Sequence, residues 1–147
     1  MKLNTKTRYG LRAIIEIAMN SNEQGIFQKD IALAQNISNK YLDQIIAELK
    51  AADLITNTGG KKSGYKLTIN PKSITAYTIF KVFNSSLQLV DCVSGSDCCK
   101  MDICAAKTFW CGLNDHIIKY LQSKTLEELV IEQKKLLKNN DNMMFYI

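Results

Sequence analysis

Apolar residues recur every three or four positions through most of this chain, and polar or glycine-bearing turns interrupt them. Tyr9, Ala13, Ile14, Ile17 and Ala18 share one helical face, which predicts a helix from Thr5 to Met19 with Asn4 or Thr5 as its cap. Gln28 to Gln35 reads as a short second helix, with Ile31 and either Leu33 or Ala34 inward. Asn36 suits the left-handed conformation that ends a helix. Ser38 suits the cap of a third, Asn39 to Ala51, whose apolar stripe is Leu42, Ile45, Ile46 and Leu49. Leu54 to Thr58 and Tyr65 to Ile69 are β-prone, and the glycine-rich 59–64 segment joins them as a hairpin. Thr75 caps a helix reaching Asn84. A longer helix from Ala105 to Tyr120 carries Ala106, Trp110, Leu113, Ile117 and Tyr120 in alternating steps of four and three. That spacing forms a packing seam, either with a second chain or with the rest of its own domain. Thr125 and Glu128 form a capping box for a last helix ending near Leu137.

These elements predict a mainly α fold with a small β-hairpin: a winged helix-turn-helix domain plus a long dimerisation helix. The expected organisation is a DNA-binding domain at 1–72, a connecting helix and cysteine-rich sensor loop at 73–104, the dimerisation and C-terminal helices at 105–138, and a tail at 139–147.

Composition sharpens this picture. The 147 residues are 46% hydrophobic and 22% charged with one proline, which excludes disordered and collagen-like chains. No apolar run approaches the roughly 20 residues that span a bilayer. The N-terminal residues lack the apolar stretch of a signal peptide, so a cytoplasmic location with reduced thiols and no membrane partner is expected. Charge is unevenly placed. The first 72 residues hold 11 Lys/Arg against 6 Asp/Glu, whereas the remainder holds 8 of each. The basic half is suited to a polyanion.

The candidate DNA-contacting residues are Arg8, Ser38, Asn39, Lys40, Tyr41, Asp43, Gln44, Gly60, Lys61 and Lys62. Gln44 can bond adenine through two hydrogen bonds, and Asp43 can accept from cytosine N4 while repelling phosphate. Asn39 and Lys40 stand at the helix start, nearest the backbone and base edges. Arg8, Lys61 and Lys62 would set affinity through phosphates without reading sequence.

All five cysteines fall between positions 92 and 111. Cys92, Cys98 and Cys104 are evenly spaced, with five residues between neighbours. Thiolates are soft ligands that suit iron–sulfur clusters and zinc. A cluster normally takes four protein ligands, so a fourth is needed, with Cys111 first and Cys99 next. An odd count in a reducing compartment argues against disulfides, and no CxxC pair marks a zinc site. A cluster-free thiol switch is the rival, because Cys98 and Cys99 adjoin Lys100. A cysteine-based enzyme is poorly served, since His116 is the only histidine and no phosphate-cradling loop is present.

Taken in order, the motifs resemble the bacterial Rrf-type winged-helix regulators, the family of the iron–sulfur regulator IscR, the nitric-oxide sensor NsrR and the cysteine-metabolism repressor CymR. The matching pieces are Lys2-Leu3, Thr5-Lys6, Arg8 to Arg12, Asp30-Ile31-Ala32, Ile37-Ser38, Tyr41 to Gln44, Leu54-Ile55, Gly64 to Leu67 and Ile74-Thr75, followed by Cys92, Cys98, Cys104 and Trp110. The resemblance covers about residues 1–135. It implies a homodimeric transcription regulator, most often a repressor, that binds an imperfect palindrome of double-stranded DNA. The helix at Asn39 would enter the major groove and the 59–64 hairpin the minor groove. The helix at Ala105 would pair with its twofold mate through Trp110, Leu113, Ile117 and Tyr120. In cluster-binding members, cysteines spaced like Cys92, Cys98 and Cys104 hold a 2Fe–2S or 4Fe–4S cluster. A thiol- or metabolite-responsive regulator without a cluster is the alternative within the same fold. The chain departs from the family at several positions. Gly59 stands where the wing usually carries arginine. Lys107 stands where one relative has a ligating histidine, and Arg8 where another has a ligating carboxylate.

Overall fold

A computed structural model of the chain describes residues 4–60, 63–94 and 103–144. Its helices are α1 (Thr5–Met19), α2 (Gln28–Gln35), α3 (Asn39–Ala51), α4 (Ala76–Phe83), α5 (Ala105–Ser123) and α6 (Leu126–Met144). Strands β1 (Ile55–Asn57) and β2 (Tyr65–Leu67) pair antiparallel, with Ile55 opposite Leu67 and Asn57 opposite Tyr65. Short 3₁₀ turns occupy Pro71–Ser73 and Asp91–Ser94. The expected fold class is the observed one: a helix-turn-helix followed by a wing, then a long helix.

Local chemistry accounts for most element ends. The Asn4 side chain accepts from the Thr7 amide at 2.6 Å and opens α1. Ser38 does the same for α3 through Tyr41, and Thr75 for α4 through Thr78. Asn36 lies in the left-handed region at φ 51, and its amide and that of Ile37 take up the last carbonyls of α2. Thr125 and Glu128 bond reciprocally across the start of α6.

One core joins α1, α2, α3, the wing strands, α4 and α6. Ile14, Ile17, Ile31, Leu42, Ile45, Leu49, Ile55, Ile74, Ile79 and Leu126 are all fully buried. Inward residues of α2 are Ile31 and Ala32, while Leu33 is 83% exposed and Ala34 is also exposed. Two turns of helix carry too few apolar positions for spacing alone to fix which face is inside. Leu126 and Val130 of α6 belong to the same core as α1 and α3. A backbone clasp holds them there: Ala76 N–H donates to the Lys124 carbonyl and Leu126 N–H to the Ile74 carbonyl, each at 2.8 Å. The C-terminal helix is therefore packed into the N-terminal half, across the boundaries drawn from sequence. It also runs on through 139–144, beyond the expected end near Leu137. No glycine or proline interrupts that stretch, and extending a formed helix costs far less than starting one.

Gly10 marks the tightest approach. A Cβ there would lie 2.1 Å from the Phe83 ring, so α1 and α4 come this close only with glycine at position 10.

Candidate nucleic-acid interface and cysteine junction

Helix α3 divides cleanly. Leu42, Ile45, Ile46 and Leu49 are buried, and Asn39, Lys40, Asp43, Gln44 and Ala47 are exposed. Buried apolar contacts hold the helix, which leaves its outer face free for polar recognition. Ser38 is exposed but its hydroxyl oxygen already serves as the cap. Tyr41 is half-buried, its ring edge-on to Tyr9 with centroids 5.9 Å apart. Arg8 is exposed beside the Tyr9 ring at 5.9 Å. Arg12 is engaged differently: its guanidinium donates to the side chain and the main-chain carbonyl of Gln35, closing the end of α2. Lys6 pairs with Glu48 at 2.7 Å and ties α1 to α3. That hydrogen bond is the main reason the Lys6 pKa lies above its ordinary value.

The wing begins beside this face. Gly59 and Gly60 take φ 85 and 88, a left-handed pair that turns the hairpin away from β1. Thr58 and Gly64 bond across its base. Gly60 is exposed, while Lys61 and Lys62 lie outside the described residues. At the other end of the wing, the Tyr65 backbone pairs with Ile26 just before α2. The Tyr65 hydroxyl donates to Gln28 at 3.1 Å, and Gln28 in turn donates to the Asp43 carboxylate. Lys50 of α3 stands 5.1 Å from the centre of the Tyr65 ring. Burial, and then the Asp43 charge, hold the Tyr65 pKa above its ordinary value. Sequence spacing gave no sign of Gln28 or Tyr65 as partners of Asp43, because both are distant along the chain.

Helix α5 presents the opposite character. Leu113 is 39% exposed and Tyr120 65%, whereas Trp110 and Ile117 are half-buried within the chain. Phe109, absent from the expected seam, is 61% exposed and lies one turn from Leu113. Its ring meets Trp110 edge-on at 5.0 Å. Asn114 is the one buried residue of α5. His116 turns a ring nitrogen toward the Gly112 carbonyl of its own helix at 2.9 Å.

Three cysteines fall among the described residues, Cys92, Cys104 and Cys111. Cys92 sits on the 3₁₀ turn Asp91–Ser94, which packs against α5, and Cys104 holds the N-cap position of α5. Both are half-buried free thiols, as is Cys111. Cys98 and Cys99 lie outside the described residues. Among the described residues, no three of His, Cys, Asp and Glu form a metal-binding group. One turn beyond Cys104 stands Lys107. Cys111 is two turns beyond, about 10 Å along the axis, which weakens it as a fourth ligand. Among the described residues, Cys92 and Cys104 stand on the two flanks of the 95–102 segment, and no further thiol lies within one turn of Cys104 on α5.

The sequence model of Rrf2, described as an iron-dependent transcriptional regulator, matches residues 3–132. The chain belongs to the Rrf2 family. It is 34% identical over 144 residues to protein rrf2 of Nitratidesulfovibrio vulgaris, covering 97% of this chain and 96% of that one. It is 31% identical to the HTH-type transcriptional regulator IscR of Vibrio parahaemolyticus, covering 92% of this chain and 81% of the relative. The fold is similar to that of CymR, the global cysteine regulator of B. subtilis, with a TM-score of 0.77 and 32% identity over 90% of this chain and 98% of that one. As an Rrf2 member, the chain is a DNA-binding transcription regulator and not an enzyme. Among the described residues no helix is long and apolar enough to cross a membrane.

Proposed function

We propose that the chain acts in the cytoplasm as a homodimeric repressor on an imperfect palindrome, its DNA binding tuned by an iron–sulfur cluster on Cys92, Cys98 and Cys104. The observation that carries the sensor part of this reading is that the turn bearing Cys92 packs against α5, the helix whose N-cap is Cys104. When bound, the cluster would supply redox and ligand sensitivity at that junction. The protein's own residues supply the response. Any shift of the Asp91–Ser94 turn against α5 moves the helix whose exposed Leu113 and Tyr120 are offered to a second copy. Two copies joined there would carry their α3 helices apart or together. Regulation requires only that the two spacings differ in DNA affinity. In the complex, Gln44 and Asp43 read major-groove edges, and Arg8, Lys61, Lys62 and the Gly60 turn contact the backbone and minor groove.

A second reading, a thiol-responsive regulator without a cluster, is favoured by Lys107 beside Cys104 and by the similarity to CymR. Visible absorption with iron and sulfide analysis of anaerobically purified protein separates the two. A brown wild type containing iron and sulfide, beside a colourless Cys104→Ala protein, supports the cluster. A colourless wild type that resists reconstitution removes the cluster and leaves the thiol switch.

A further inference from the structure

Asp43 is exposed on the outer face of α3, and its carboxylate is engaged by a neighbouring side chain. Gln28, at the first position of α2, donates an amide N–H to Asp43 Oδ1. The same amide accepts, through its oxygen, from the Tyr65 hydroxyl of the wing strand at 3.1 Å. A hydroxyl can donate to the amide oxygen and only the amide nitrogen can donate to a carboxylate, so the two bonds together fix which way the Gln28 amide points. Tyr65 is itself held on three sides: its backbone pairs with Ile26, its ring lies under Lys50, and its hydroxyl meets Gln28. The chain of contacts therefore runs from the wing base through the first helix of the helix-turn-helix to the reading helix.

Resting on the DNA-reading role proposed for α3, we infer that Gln28 and Tyr65 are positioning residues that set base discrimination through Asp43. With Oδ1 engaged by Gln28, the carboxylate is restrained and its other oxygen is left for a base edge. A fixed anion favours base edges that offer an amino donor, cytosine N4 or adenine N6, and is repelled by guanine O6 and N7 or thymine O4. A freely rotating carboxylate could swing away from an unfavourable edge, which lowers the penalty for a wrong base. Preorganisation of this kind affects selectivity more than total affinity, since phosphate contacts supply most of the latter. Burial and the nearby Asp43 charge both keep the Tyr65 hydroxyl protonated, as donation to Gln28 requires.

The test is selection of binding sites from a randomised duplex library by full-length wild type, Asp43→Ala, Gln28→Ala, Tyr65→Phe and the Gln28→Ala/Asp43→Ala double variant. Thermal unfolding is recorded for each protein. Tyr65→Phe removes one hydroxyl and keeps the ring, so the hairpin base and the Lys50 contact persist. Gln28→Ala and Tyr65→Phe are expected to relax preference at the base pair that Asp43→Ala relaxes, by about two- to tenfold. Gln28→Ala should add nothing once Asp43 is gone. A Gln28→Ala profile identical to wild type, or one relaxed at a different base pair, overturns the inference and leaves DNA reading by α3 intact. Failure of wild type to enrich any sequence overturns both.

Discussion

Helices α3 and α5 differ in what they leave at the surface. Helix α3 buries four large apolar residues and exposes polar ones, so it is a finished element within a single chain. Helix α5 is six residues longer yet buries only Asn114, and it leaves Phe109, Leu113 and Tyr120 in solvent. One helix has a complete apolar face and an outer surface suited to the edges of bases. The other leaves apolar side chains uncovered within one chain, the surface proposed above to meet a second copy. On the proposed reading, the contrast teaches that DNA recognition and assembly are separate tasks built on different kinds of surface.

The largest expected effect breaks α5 while sparing α3. Replacing Leu113 and Tyr120 together by Glu should give a folded monomer with at least a hundredfold weaker operator binding, because a tethered pair of half-sites is lost. Sedimentation and gel-shift titration would check both parts. A dimer that persists in that variant would return α5's seam to the chain's own domain.

Next in size is a cut into the face that α3 has already completed. Leu42→Ala should lower stability by about 2–5 kcal/mol in denaturant unfolding, because the residue is fully buried. Leu113→Ala, at an exposed position of one chain, should cost far less when measured in the dissociated state. Gly10→Ala forces a methyl group into the Phe83 ring and should destabilise by about 1–3 kcal/mol, seen in the same experiment.

The smallest effect concerns the helix end that anchors the C-terminal part to the core. Hydrogen bonds from the Thr125 backbone and hydroxyl hold the Glu128 pKa below its ordinary value. Its contribution is therefore present above the unfolded-state pKa and disappears as pH falls through the depressed folded-state value. Glu128→Ala should lower Tm by about 2–4 °C near neutral pH, and the gap from wild type should close in acid.

Local chemistry made much of this legible in the sequence. Asn36, Ser38, Thr75 and the Thr125–Glu128 pair each act within three or four residues, and each caps or ends the helix it was expected to. The apolar stripe of α3 was equally plain, since four turns of helix give spacing enough to define a face. What escaped was set by distance along the chain. Leu126 enters a core made by residues far earlier in sequence, and nothing in its own neighbourhood announces this. Gln28 meets Asp43, and Tyr65 meets Gln28, only because the turn and the wing fold them together. Helix α5 shows a different limit of spacing. A strict four-and-three spacing selects Trp110, which turns out to be partly covered by its own chain, while the neighbouring ring stays outside.

The central claim is that α3 reads DNA only as one of a pair assembled through α5. Sedimentation equilibrium of the wild-type protein, alone and on a duplex enriched by selection, tests it most directly. A dimer reading DNA as a pair gives twice the 16.6 kDa chain mass in solution and two chains on each duplex. A species of single-chain mass that binds the duplex one to one, with undiminished affinity, would contradict it.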